Sequence, residues 1–177
     1  MGYFSTRGLR GSNLEELINR TNLQYLEDEL AVIQKIPTAI KPVELDSSRG
    51  VITLAYFDEQ STVDYMGNIQ GIPVCFDAKE IGVNSLPIAN IHPHQMKFME
   101  SFTKQNGIAF LIVSFTKLDK IFALDFYTLN KFWVDAHENY GRKSIPFDEF
   151  SPELEINRHG RYLIHYLDII EKLLNIK

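Results

Sequence analysis

Two aspartates and a lysine between Asp64 and Lys79 have the residue types and spacing for metal-dependent chemistry. Asp64 is predicted to lie in a turn, and an apolar strand then leads to the triplet Asp77-Ala78-Lys79. Because side chains alternate along a strand, we expect Asp77 and Lys79 to share one face while Ala78 points into the protein. Carboxylates bind Mg²⁺, and an ammonium group offsets the charge that grows on a phosphate during cleavage. The pattern therefore indicates phosphodiester hydrolysis.

The same residues also allow structural interpretations. Asp64 can cap a turn, as aspartate often does. Asp77 and Lys79 can form an ion pair on the surface of a strand without any catalytic role. Glu80 falls on the opposite strand face, so it is predicted to be structural or to lie behind the site.

Length and composition predict one soluble globular domain. Of the 177 residues, 45% are hydrophobic and 23% are charged, as in ordinary globular proteins. Apolar runs stay short of the ~20 residues of a membrane span, and the N-terminal segment is polar rather than signal-like, so we expect a cytoplasmic protein. The single cysteine, Cys75, suits a reducing compartment and is predicted to be a buried core thiol.

Hydrophobic periodicity predicts a single α/β domain over residues 1–177, with a polar arm at residues 1–10. The predicted helices cover residues 13–30 (capped by Ser12 or Asn13), 92–105 (closed by Gly107), 127–137 and 160–174. The predicted strands cover residues 31–36, 72–79, 108–115 and 120–126. Two alternating runs flanked by prolines predict a projecting hairpin at residues 38–58, whereas residues 79–90 and the segment GRKSIP are predicted to be loops.

An ordered set of segments resembles the RecU family of Holliday junction resolvases. The segments are, in chain order, GSNLEELINRTN, IQKIPTAI, STVDYMG, VCFDAKE, IHPHQ, GIAFLIVSF and GRKSIP. The resemblance implies a restriction-endonuclease-like α/β core, in which helices flank a central mixed β-sheet. It also identifies residues 38–58 with the stalk of the family, an arm that projects towards the centre of a junction.

The resemblance implies roles for the residues of the central segment. Asp64 matches the first metal-binding aspartate of the family, and Lys79 matches its catalytic lysine. Asp77 occupies a position where the family more usually has glutamate, so this chain departs from the pattern by one methylene. The backbone carbonyl of Ala78 is a further expected metal ligand.

Two helices supply the remaining candidate residues. Glu15 resembles the acidic residue that reaches the metal cluster from the opposite side. Glu16 competes with it for that role, and the helix macrodipole is a simpler reason for both. Gln95 matches a polar residue that orients the attacking water or contacts the scissile strand. His92 and His94 are predicted to mark the start of a helix rather than a zinc site, because no cysteine or third histidine lies nearby.

The function implied by the resemblance is resolution of four-way DNA junctions by paired symmetric nicks in recombination and repair. The reaction would use Mg²⁺ or Mn²⁺ and leave 5′-phosphates. A two-fold symmetric junction implies a homodimer, and the family implies an interaction with a RecA-type recombinase. Two alternatives stay open: a duplex nuclease of the same fold, and a catalytically weak junction-binding protein that modulates the recombinase.

The charge distribution gives a mixed indication about DNA binding. The net charge of −5 counts against a strongly basic surface, although it does not say where the charges lie. Each candidate for phosphate contact could equally be a solvated surface residue. These candidates are Arg7, Arg10, Lys35, Lys41, Arg49, Thr62, Arg142 and Lys143.

Overall fold

The computed structural model describes residues 14–37, 39–57, 62–157 and 159–176. The helices are α1 (Leu14–Glu27), α2 (Pro93–Lys104), α3 (Phe126–Glu138) and α4 (Ile170–Leu174). The strands are β1 (Val32–Lys35), β2 (Ile40–Asp46), β3 (Val51–Phe57), β4 (Tyr65–Ile69), β5 (Ile72–Ile81), β6 (Ser85–Pro87), β7 (Ile108–Phe115), β8 (Lys120–Asp125) and β9 (Ser144–Pro146). Within the described ranges, no helix is long and apolar enough to cross a membrane.

A five-stranded mixed sheet forms the centre of the molecule, in the order β1-β4-β5-β7-β8. The β5–β7 pair is parallel, whereas the other neighbouring pairs are antiparallel. Helix α2 provides the crossover between the parallel strands, as such a connection requires. The predicted fold class, a mixed sheet flanked by helices, is confirmed.

Strand β7, next to the central strand β5, separates two hydrophobic clusters. Phe110 and Ile112 face the first cluster, together with α1 and the C-terminal segment. Leu111 and Val113 face the second cluster, together with α2 and α3. This alternation explains the continuous apolar run, because both faces of the strand are covered. Cys75 is buried in the second cluster, as predicted, and burial raises the pKa of its thiol.

The predicted hairpin at residues 38–58 forms a two-stranded antiparallel sheet of its own, from β2 and β3. Most residues of both strands are exposed on both faces. Large apolar side chains are among them, including Leu45, Leu54 and Phe57. The hairpin therefore adds little to the core.

The predicted loop at residues 79–90 is wrong. Strand β5 continues to Ile81, and the short strand β6 pairs with β9 inside the GRKSIP segment, which was also predicted to be a loop. Leu86 pairs with Ile145, and both side chains are fully buried. These three-residue strands depend on a contact between distant segments, which local periodicity does not reveal.

Two further features differ from the sequence prediction. Strand β4 was not predicted, although it pairs with β1 in the central sheet. Its Gly67 lies so close to β1 that a Cβ atom would be 2.0 Å from the Val32 carbonyl oxygen. The left-handed residue after α2 is Asn106 (φ 64°) rather than the predicted Gly107.

The predicted C-terminal helix at residues 160–174 is wrong over most of its length. Only Ile170–Leu174 is α-helical, after a short 3₁₀ helix at Tyr166–Ile169. An antiparallel bridge between His159 and Tyr162, around Gly160 at φ 60°, holds the preceding residues in a turn. The predicted cap of the first helix (Ser12 or Asn13) and the arm at residues 1–10 lie outside the described residues.

Candidate active site

The β4–β5 hairpin brings the two aspartates together. Its register pairs Tyr65 with Phe76, which places Asp64, just before β4, beside Asp77 in β5. The Asp64 backbone N–H donates to Asp77 Oδ1 at 2.9 Å. In return, the Ala78 backbone N–H donates to Asp64 Oδ2 at 3.1 Å. Each carboxylate therefore accepts a hydrogen bond from the backbone at or next to the other aspartate, which fixes the relative position of the two side chains.

Asp77 and Lys79 share a strand face, as predicted. Lys79 Nζ lies 2.5 Å from Asp77 Oδ2. The Asp77 side chain is 0% exposed and that of Lys79 is 15% exposed, so the alternative of a surface ion pair is wrong. Ala78 packs against the first hydrophobic cluster, as expected, but Asp77 on the other face is fully buried as well. Strand β5 is buried on both faces from Val74 to Asp77, whereas Glu80 near its end is exposed.

Gln95 joins helix α2 to the carboxylate pair. Its amide Nε2 donates to Asp77 Oδ2 at 2.7 Å, and its Oε1 accepts the backbone N–H of His92 at 3.0 Å. His92 is the N-cap of α2, so the predicted helix start is confirmed. The rings of His92 and His94 stack at 5.4 Å. Burial is the largest cause that lowers the pKa of His94, followed by the charges of His92 and Lys79.

The electrostatics of the pair favour a bound cation. Burial is the main cause that raises the pKa of Asp64, and the negative charge of Asp77 raises it further. The Ala78 N–H and Lys79 act in the opposite direction. One lysine against the buried Asp77 and the half-buried Asp64 leaves negative charge without full compensation. The oxygen donors are those that Mg²⁺ and Mn²⁺ prefer. The residues therefore fit the divalent cation that the resemblance implies.

Glu15 approaches the same region from α1. Its backbone carbonyl accepts the Tyr65 hydroxyl at 3.4 Å, and its carboxylate pairs with Lys35. Burial and then the charge of Glu15 raise the pKa of Tyr65, and the two aspartates contribute as well. The competing candidate Glu16 pairs instead with Arg20 on the exposed face of the helix. The metal-binding role of Glu15 stays a prediction.

Glu80 has a structural contact, in agreement with its predicted role. Its Oε2 accepts the backbone N–H of Leu14 at 3.1 Å. This N–H belongs to the first turn of α1, where helical donors lack a partner within the helix. Glu80 thus connects the strand of the site to the start of the helix that carries Glu15.

Three of the candidates for phosphate contact have partners within the protein. Lys35 pairs with Glu15. Arg49 Nε lies 2.6 Å from Asp46 Oδ2 at the tip of the β2–β3 hairpin. Lys143 donates to the Ala136 carbonyl near the end of α3. Such a contact satisfies a helix C-terminus and is a sufficient structural reason for the lysine.

The remaining candidates are solvent-facing or lie outside the description. Lys41 and Arg142 are exposed, and Thr62 is half-buried two residues before Asp64. Arg7 and Arg10 lie outside the described residues. The role of the whole set in DNA binding stays a prediction.

The sequence interpretation did not identify Tyr65 as part of the site. Its ring stacks on Phe76 at 4.9 Å, and its hydroxyl donates to Asn19 Oδ1 at 3.0 Å. Tyr65 therefore ties α1 to the β4–β5 hairpin beneath the carboxylates. The sequence signal that could have identified Tyr65 is its position directly after Asp64.

The fold and the site define a class of protein: a mixed α/β domain with a nuclease-like core, which carries two carboxylates and a lysine on a central strand pair. Sequence comparison gives the family. A profile of the family described as Recombination protein U matches residues 9–172. The chain belongs to the RecU family.

Named relatives cover nearly the whole chain. The Holliday junction resolvase RecU of Pediococcus pentosaceus is 43% identical over 174 residues, which are 94% of this chain and 85% of that protein. The protein of the same name from Limosilactobacillus reuteri is 40% identical, over 95% of this chain and 84% of its own length. That of a Geobacillus species is 39% identical, over 94% and 85%.

Proposed function

We propose that this protein is a metal-dependent endonuclease that resolves four-way DNA junctions during homologous recombination and DNA repair. The observation that carries the proposal is the contact of Asp64, Asp77 and Lys79 on one strand pair, with Gln95 bound to the same carboxylate. Relatives with the name Holliday junction resolvase, about 40% identical over most of their length, support the substrate.

The cation of the proposed reaction is Mg²⁺, with Mn²⁺ as a substitute. Asp64 and Asp77 would hold it through their carboxylates, together with the Ala78 carbonyl and Glu15. When bound, the cation polarises the scissile phosphate and helps to ionise a water molecule.

The side chains around the carboxylates have separate tasks. Lys79 stabilises the charge that develops on the phosphate, because its ammonium group is largely desolvated and held in place. Gln95 is a positioning residue, which fixes the orientation of Asp77 through its 2.7 Å hydrogen bond. Burial of Asp77 keeps water away from these contacts and strengthens them.

The assembly follows from the symmetry of the substrate. Paired nicks on opposite strands of a two-fold symmetric junction need two equivalent active sites, which a homodimer supplies. The exposed β2–β3 hairpin would then enter the junction centre, and the products would carry 5′-phosphates. Binding to a RecA-type recombinase is compatible with this arrangement and forms part of the proposal.

Cleavage of a labelled mobile four-way junction tests the proposal. The protein is incubated with Mg²⁺ or Mn²⁺, beside a linear duplex of the same sequence. Asp77→Ala removes the buried carboxylate, and Glu100→Ala, which alters an exposed residue of α2, is the matched control. We expect paired nicks from the wild type and from the control variant but not from Asp77→Ala.

Each other outcome would contradict a defined part of the proposal. Equal cleavage of junction and duplex would indicate a general nuclease. Tight junction binding without cleavage would indicate a protein that acts by binding. A protein that neither binds nor cleaves the four-way junction would overturn the whole proposal.

A further inference from the structure

A second group of metal-ligating side chains lies at the other end of helix α1. His159, His165 and Asp168 each offer a ligand atom, and these atoms all lie within 4.8 Å of one another. His165 contacts Tyr25, ten residues along α1 from Glu15, which corresponds to about 15 Å of helix. The group is therefore separate from the carboxylate pair.

The irregular C-terminal segment brings the three residues together. The bridge between His159 and Tyr162 closes a tight turn around Gly160. His165 is the N-cap of the following 3₁₀ helix, and Asp168 lies three residues later, on the same side of that helix. The segment that departs from the predicted α-helix is thus the segment that forms the group.

Tyr25 orients the central ligand from below. Its buried hydroxyl lies 2.8 Å from His165 Nδ1 and 3.3 Å from the Ile164 carbonyl oxygen. When Tyr25 donates to that carbonyl, its oxygen accepts the Nδ1 proton of His165. A ligating histidine commonly has its second nitrogen held in this way, which fixes the tautomer and the ring orientation.

In this tautomer, the lone pair on His165 Nε2 faces Asp168 Oδ1 at 3.2 Å. Two acceptors at that distance repel each other unless a proton or a cation lies between them. The His159 ring lies beside them, with its centroid 5.6 Å from that of His165. His159 thus adds a third possible ligand atom beside the facing pair, which gives the donor set that a metal ion would need.

We propose that His159, His165 and Asp168 form a second metal site, which binds a divalent transition-metal ion of the zinc type. Two imidazoles and one carboxylate are common zinc ligands, and they leave a fourth position for water. Imidazole nitrogen distinguishes this site from the all-oxygen donors of the carboxylate pair, which suit Mg²⁺. The proposal is independent of the proposed nuclease activity.

The consequence of metal binding would be structural. The ion would join the turn at residues 159–162 to the 3₁₀ helix at Tyr166–Ile169. Both are already tied to α1, because Tyr162 donates to Asp28 Oδ2 at 2.6 Å and Tyr25 contacts His165. Binding to the folded state alone raises the melting temperature, and the rise grows with the logarithm of the free metal concentration once this exceeds the Kd.

Zinc titration of the metal-free full-length protein against a chromophoric chelator tests this site. Excess Mg²⁺ is present throughout, so that it competes at the carboxylate pair. We expect one tight zinc site per chain and a zinc-dependent rise in melting temperature. His159→Ala should weaken zinc binding by more than the ~10–100-fold typical of an outer-shell change, and Tyr25→Phe should fall within that range.

The controls separate loss of the ligand from loss of the fold. His159 is exposed, so His159→Ala is expected to fold, which its melting curve without zinc reports. His137→Ala removes another exposed histidine, on α3, and should bind zinc as the wild type does. Equal zinc affinity in the wild type and in His159→Ala would overturn the proposal, as would a wild type that binds no zinc.

Discussion

At the scale of single residues, the charge of Asp64 has opposite consequences for stability and for the proposed chemistry. Burial and the charge of Asp77 raise the pKa of Asp64 in the folded protein. A raised carboxyl pKa means that the folded state binds the proton more tightly than the unfolded state does. Stability is therefore lost as the pH rises from the unfolded pKa of this carboxyl to its higher folded pKa, and above the folded pKa the ionised Asp64 destabilises the fold by the full amount.

Asp64→Asn is accordingly expected to stabilise the protein at pH 7 while it abolishes cleavage. Asparagine removes the charge but keeps an oxygen that can accept the Ala78 N–H. We expect the melting temperature without divalent cations to rise, on the order of 2–4 °C for each ~1 kcal/mol gained. Thermal denaturation beside a junction-cleavage assay measures both effects.

The control for this variant is Asp46→Asn at the hairpin tip. Hydrogen bonds from Ser48 and Arg49 lower the pKa of Asp46, so the ionised form is the favoured one in the folded state. Asp46→Asn should not raise the melting temperature. A drop in melting temperature for Asp64→Asn would show that the carboxylate stabilises the apo site.

Gln95 offers a test of positioning without a change in charge. Gln95→Met keeps a similar volume but removes the hydrogen bond to Asp77 Oδ2. The single-turnover cleavage rate should fall by about 10–100-fold, because the carboxylate loses its orienting partner. Junction affinity, measured by titration without cleavage, should change far less. Parallel losses in both quantities would assign Gln95 to DNA binding instead.

The sequence allowed a prediction of which residues meet, but not of how they are held. Strand alternation was enough to place Asp77 and Lys79 on one face. It could not show that each aspartate accepts a hydrogen bond from the backbone beside the other, since this depends on the β4–β5 register. It also could not show the full burial of Asp77, which requires helices on both faces of the strand.

At the scale of elements, the contact between Glu80 and helix α1 links the stability of the fold to the site. Glu80→Ala leaves the Leu14 N–H without its acceptor and removes a negative charge from a helix N-terminus. The loss of a helix cap costs about 0.5–2 kcal/mol. We expect a melting temperature lower by a few degrees.

One variant separates the hydrogen bond of Glu80 from its charge, and a second variant is the control. Glu80→Gln keeps an acceptor and should recover part of the loss, whereas Glu100→Ala, on an exposed part of α2, should have little effect. Equal melting temperatures for Glu80→Ala and the wild type would mean that α1 starts without this contact.

Elements with strong local patterns were predictable, and elements that depend on distant partners were not. Strand β7 is a nearly continuous apolar run, and helix α2 begins at a proline after a capping residue, so both were predicted nearly to their ends. Strands β6 and β9 have three residues each and exist through their mutual pairing. The C-terminal segment has helical spacing, but the His159–Tyr162 bridge prevents a helix there.

At the scale of the whole molecule, the overall charge gives little attraction to DNA. The chain has a net charge of −5, and several cations are paired within the protein, including Lys35 with Glu15 and Arg49 with Asp46. We therefore expect junction selectivity to depend on shape recognition by the β2–β3 hairpin more than on overall electrostatic attraction.

Replacement of the hairpin tests whether the hairpin provides the junction selectivity. None of the described residues at positions 40–57 belongs to either hydrophobic cluster, so a short Gly-Ser turn in place of residues 42–55 should leave the core folded. We expect a melting temperature within a few degrees of the wild type and retained metal-dependent nicking of DNA. The preference for a four-way junction over a linear duplex should be lost, because the element that distinguishes the two is absent. The ratio of the two cleavage rates measures this preference, and an unchanged ratio would move junction recognition to the face of the domain around Asp64 and Asp77.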